Sequence, residues 1–112
     1  MWITAAKPSG EAELPSYDKT IEDIVIKVVM CESSGNPDAI GDCGTSGIKN
    51  RTTCLAQGLT QFHSRTFYWM AELAGLEHPE WLDSKDQLFL LRWAIKNKKG
   101  NEWSCFSRYY EY

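Results

Sequence analysis

The 112-residue chain has no apolar run approaching the roughly 18 residues that a membrane-spanning helix needs, and so reads as a soluble protein. Positive charge is also scarce. Twelve Lys and Arg against fifteen Asp and Glu leave a net charge of −3, and "KNKKG", Lys96 to Lys99, is the only basic cluster. A nucleic-acid partner is therefore not expected. The cluster closes a predicted helix, where cations complement the negative end of the dipole. There are only two histidines, His63 and His78, neither at ligand spacing to a cysteine pair, and no C-x-x-C occurs, which sets zinc aside. Neither an internal repeat nor a low-complexity segment is present, and the length fits one domain.

Cysteine, by contrast, is present in an even number: Cys31, Cys43, Cys54 and Cys105. In a small domain this suits two disulfides and an oxidising compartment, with three pairings open. Cys43 and Cys54 bracket "GTSGIKNRTT", ten residues with no core-forming pattern. A bridge there would supply order that packing cannot, about 2–3 kcal/mol on the loop-entropy account. No signal peptide is visible, so export would mean a leader removed or replaced by Met1. The "NRT" sequon at Asn50 is assigned no role.

Along the chain, residues 1–16 hold Pro8, Gly10 and Pro15 without periodicity and are expected to form an arm leading into a domain at 17–112. Thr20, with Asp23 three residues on, predicts a capped helix start, and Gly35 with Pro37 its end. Residues 36–55 are rich in turn formers and predict a polar loop. A second helix is expected over 64–74, with Phe67, Met70, Ala71 and Ala74 inward, "FYW" mostly in the core and Gly75 as its stop. The third should begin at Ser84 with Gln87 as capping-box partner, bury Leu88, Leu91, the stem of Arg92 and Ile95, and stop at Gly100. The fold class is α+β, mostly α, with one polar loop or small β-lobe.

Within the first helix, Ile21, Ile24, Val25, Val28 and Val29 form an apolar stripe whose next position is Glu32. Burial against the valines and the nearby negative helix end both disfavour ionisation, so the Glu32 pKa should rise. A carboxyl that is protonated near neutral pH is a general acid.

The segment "ESSGNPDAIGD" followed by "AQGLTQF" resembles the lysozyme-like domain of lytic transglycosylases and goose-type lysozymes. That family's signature is Glu-Ser, a Gly/Asn-Pro turn, then Gly-Leu-Met-Gln. The likeness covers Ile21 to Leu76. It implies a lysozyme-like fold, Glu32 as catalytic acid, Ser33 as its polar neighbour, and Gly58, Leu59 and Gln61 as the wall of a sugar-binding cleft. Thr60 stands where the family has Met, which removes an apolar contact from that cleft. Phe62, Tyr68, Trp69, Trp103, Tyr109 and Tyr110 are candidates for stacking on sugars. Most should be core, while Tyr109 or Tyr110 corresponds to a late Tyr that the family often places near the acid. Similar small domains with a Cys before the Glu often have one near the end, which implies Cys31–Cys105 beside Cys43–Cys54.

The activity implied is cleavage of the MurNAc–GlcNAc bond of peptidoglycan by an extracytoplasmic monomer without metal or cofactor. Asp42 resembles a Gly-Asp of goose-type lysozymes that helps position water. Asp38 reads as a turn residue. Without such a carboxylate, Glu32 protonates the leaving oxygen and then, as base, helps the muramyl C6 hydroxyl attack C1, giving a 1,6-anhydro sugar. The "ESSGNPDAIGD" turn looks more like this lytic transglycosylase branch, with hydrolysis as the alternative. A non-catalytic peptidoglycan-binding module, or a disulfide-stapled structural domain, is the rival from another class. Neither of these rivals needs a carboxyl on an apolar stripe.

Overall fold

The computed structural model describes residues 19–110; the expected arm at 1–16 lies outside the described residues. In chain order the elements are α1 (Lys19–Ser33), β1 (Ile40–Gly41), β2 (Ala56–Gln57), β3 (Phe62–His63), α2 (Ser64–Ala74), α3 (Ser84–Lys96), a 3-10 turn (Gly100–Glu102) and α4 (Ser104–Tyr109). The class is α+β, mostly helical, with one small antiparallel sheet in the order β1-β2-β3.

The apolar stripe of α1 is buried as expected. Val25, Val28 and Val29 enter the core, and Ile21 and Ile24 pack against it half-buried. Both α1 and α2 pack on α3, which contributes Leu90, Leu91, Ala94 and Ile95. Arg92 is half-buried and pairs its guanidinium with Glu22 of α1. Trp103 and Phe106 close the core from the C-terminal segment.

The disulfides are Cys31–Cys105 and Cys43–Cys54. The first spans 74 residues and so removes more chain entropy than the second, about 4 kcal/mol against about 3 on the loop-entropy account. It fastens α4 to the last turn of α1.

Several boundaries differ from expectation. Thr20 lies inside α1 and does not cap it. Asp83, one residue before the expected start, caps α3 by accepting from the Asp86 N–H at 3.1 Å. That helix ends at Lys96, short of Gly100, because Lys98 turns left-handed at φ 63° and the Lys99 N–H closes back on the Ala94 carbonyl at 2.7 Å. Lys96 does occupy the last turn, and Lys99 sits 5.9 Å from the centroid of the Trp69 ring. Of "FYW", only Phe67 is core. Tyr68 and Trp69 are 48% and 45% exposed, since consecutive residues on a helix point about 100° apart and one stripe cannot take all three.

Gln87, read as a capping partner, instead sits fully buried between α3 and the sheet. Its Oε1 accepts from the Thr60 N–H at 3.0 Å and the Thr60 hydroxyl at 2.8 Å. Its Nε2 donates to the carbonyls of Gln57 at 3.0 Å and Trp81 at 2.8 Å. With Asp83 already serving as the cap, the amide is free to face inward. Gly58 adopts φ +92°, and any Cβ there would run into this amide. Four backbone or hydroxyl groups thus rest on one side chain. Replacing Gln87 with Met keeps the volume but strands them, so the variant should lose about 3 kcal/mol of stability, read as a lower urea midpoint.

Candidate active site

Glu32 is the penultimate residue of α1, half-buried, on the rim of a cleft of about 470 Å³. Burial raises its pKa above the ordinary 4.5, and this outweighs the hydrogen bond it accepts from the Cys105 backbone N–H and the nearby Arg108 guanidinium. The sequence-based expectation for this carboxyl therefore holds, with desolvation as the leading cause. The Cys105 N–H lies at the start of α4, placed there by the disulfide to Cys31, the residue next to Glu32. Arg108 also approaches this bridge, its Nη1 3.7 Å from the Cys31 Sγ.

The sheet forms another wall. Register pairs Gly41 with Ala56 and Ala56 with His63, a row across three strands that carries almost no side-chain bulk until His63. Asp42 follows Gly41 at φ 53° and reaches the imidazole: its Oδ2 lies 2.9 Å from His63 Nε2. A Cβ at Gly41 would lie 2.5 Å from the Gln61 Oε1, so a side chain there would have to displace that amide. Gln61 spends both amide hydrogens on the carbonyls of Ala39 at 3.0 Å and Gly58 at 2.9 Å, fixing the turn between β2 and β3.

Of the residues singled out in the sequence, Glu32, Asp42, Gln61, Phe62 and Trp103 meet in this cleft. Phe62 contributes from the core side, 2% exposed, with its ring edge-on to Phe67 and Trp103. The others lie elsewhere. The Ser33 hydroxyl donates back to the Val29 carbonyl at 3.1 Å and accepts the Gly35 N–H at 3.2 Å, finishing the helix. Gly58 abuts Gln87, and Leu59 packs half-buried against the core. Thr60 is fully buried, and its carbonyl accepts from the Trp103 indole at 2.8 Å. Thr60, which the resemblance put on the cleft wall, thus belongs to an interior polar network and not to the cleft lining. Tyr109 and Tyr110 border a separate hollow with Ser107 and Arg108. Tyr109 lies under the Lys27 ammonium and Tyr110 against Phe106.

Sequence reasoning missed His63, Thr66, Glu102 and Ser104, which also line the cleft, and had Trp103 only among many aromatics. A signal existed for three of them. A bridge from the residue before Glu32 to Cys105 necessarily brings 102–104 to the acid. Asp38 is a turn residue as read: its N–H donates to the Asn36 side chain at 2.9 Å. Among the described residues no group of three or more His, Cys, Asp or Glu side chains is placed to hold a metal ion. No helix there is long and apolar enough to cross a membrane. No family model, curated protein or solved structure matches the chain.

A raised carboxyl pKa has a stability consequence of definite sign. The folded state binds the Glu32 proton more tightly than the unfolded chain, so this contribution is fully present below the unfolded value of 4.5 and is lost as pH rises through the folded one. The amide of Glu32→Gln does not titrate. The variant should therefore gain stability relative to the wild type as pH rises above about 4.5, seen as a melting-temperature difference that grows with pH.

Proposed function

We propose that the chain is a glycosidase that cuts the β-1,4 bond between MurNAc and GlcNAc in peptidoglycan, with Glu32 as general acid. The observation that carries this reading is a half-buried glutamic acid of raised pKa in an open cleft that also holds a second carboxylate. The resemblance of "ESSGNPDAIGD" and "AQGLTQF" to the lysozyme-like domain supplies the substrate class. Two disulfides are compatible with an extracytoplasmic protein, and that is the location proposed.

Protonated Glu32 donates to the glycosidic oxygen as the C1–O bond breaks, and positive charge develops on the sugar ring. Asp42 and Glu102 line the same cleft and favour that charge electrostatically. Ionised Glu32 then acts as base. In the lytic transglycosylase route it takes the proton from the muramyl C6 hydroxyl as that oxygen attacks C1, closing a 1,6-anhydro ring. The second route is hydrolysis, and the place of Asp42 favours it specifically. Held by His63, its carboxylate can orient a water and accept its proton. The turn sequence points to the first route and this geometry to the second.

Glu32→Gln should fold and lose at least about a hundredfold in clearing of purified cell walls, the scale of an acid–base group. Asp42→Asn assigns the route. A variant with near wild-type rate and muropeptides one water lighter than reducing ends means transglycosylation. An inactive variant with reducing ends from the wild type means hydrolysis.

A further inference from the structure

A second cavity, of about 500 Å³, lies on the other side of His63 from the Glu32 cleft, and that imidazole lines both. Its chemistry is the opposite of the cleft's. Where the cleft carries Glu32, Asp42 and Glu102, this cavity carries Arg51 and Arg65, with Leu55 and Trp81 for apolar surface.

Arg51 is held in place from beneath. Its Nη1 donates at 2.8 Å to the Oε1 of Gln57, a side chain only 2% exposed, whose Nε2 in turn holds the carbonyls of Arg51 at 2.8 Å and Cys54 at 3.0 Å. A buried amide spent on aiming a guanidinium is a pre-organised donor fork. The Asp38 carboxylate 3.3 Å away is a solvent-exposed partner that a better-placed anion can displace. Arg65 is exposed and has no ion-pair partner among the described residues. The Trp81 indole is pinned by donating to the Phe62 carbonyl at 2.9 Å, which fixes an aromatic wall beside the two cations.

From this geometry we infer that the second cavity receives the carboxylates of the peptide stem carried by the muramyl sugar. The inference rests on the function proposed above and adds a specificity site to it. The sugar rings of a glycan strand are neutral and suit the acidic cleft, whereas a stem carboxylate is repelled there. A basic cavity sharing a wall with the cleft gives the stem a place to lie, and Leu55 and Trp81 offer contact for its alanine methyls.

The test is binding of GlcNAc–MurNAc-tetrapeptide, compared with the same muropeptide after its carboxylates are converted to amides. Neither probe contains the MurNAc–GlcNAc bond, so neither is consumed, and wall clearing reads the proposed function separately. The acid form should bind the wild type at least fivefold more tightly than the amidated form, and Arg65→Ala should remove most of that difference. Arg51→Lys, which keeps the charge but loses the fork, should reduce it by a smaller factor. Equal affinity of the wild type for the two probes would overturn the inference. So would a full acid preference surviving in both variants.

Discussion

One buried amide sets where everything else can sit. The Gln87 side chain bonds both to the sheet segment, at Gln57 and Thr60, and to the connection entering α3, at Trp81. The strands are two residues each and cannot be held by their own ladder. Gln87 makes up the deficit by meeting three buried groups, the Thr60 N–H, the Thr60 hydroxyl and the Gln57 carbonyl, and the partly buried Trp81 carbonyl, and Gly58 is bare so that the amide can approach. With the sheet fixed against α3, the row Gly41, Ala56, His63 faces the end of α1, and a cleft exists between them.

The second constraint is covalent. Glu32 gains from its position two opposed influences, burial from the core and a donated N–H from Cys105, and burial wins. The disulfide to Cys31 is what brings that N–H within reach. The acid therefore depends on contributions from both ends of the described chain: a helix stripe near residue 25 and a tail near residue 105. The opposite wall comes from the middle, through Asp42 and His63.

Elements dominated by local rules were legible in the sequence. The bounds of α2 follow from its stripe and from Gly75, and the stripe of α1 ends on Glu32 as its spacing requires. Both cysteine pairs are as expected, one from the loop that needed ordering and one from the resemblance. Residues whose roles come from contacts distant in sequence were not legible. Gln87 satisfied a capping pattern, and nothing local says that Asp83 would take that task and free the amide for Thr60, 27 residues away. Thr60 itself was read as cleft lining because its neighbours in the motif were. Its hydroxyl needs a buried partner, which only the fold supplies. His63 had no ligand spacing to offer, and its meeting with Asp42 follows from strand register alone.

The Cys31–Cys105 bridge also bears on when the acid's surroundings come into being. A six-residue helix such as α4 is far too short to persist on its own in water, so before oxidation it depends on noncovalent contacts alone, Phe106 in the core and Tyr109 under the Lys27 ammonium of α1. The donor that Glu32 meets belongs to that helix. A freshly made chain in a reducing compartment would thus carry the glutamate without its finished setting, and would complete it on meeting an oxidant. On the function proposed above, assembly of the acid would then coincide with arrival at the substrate, and the compartment where the chain is made would be spared.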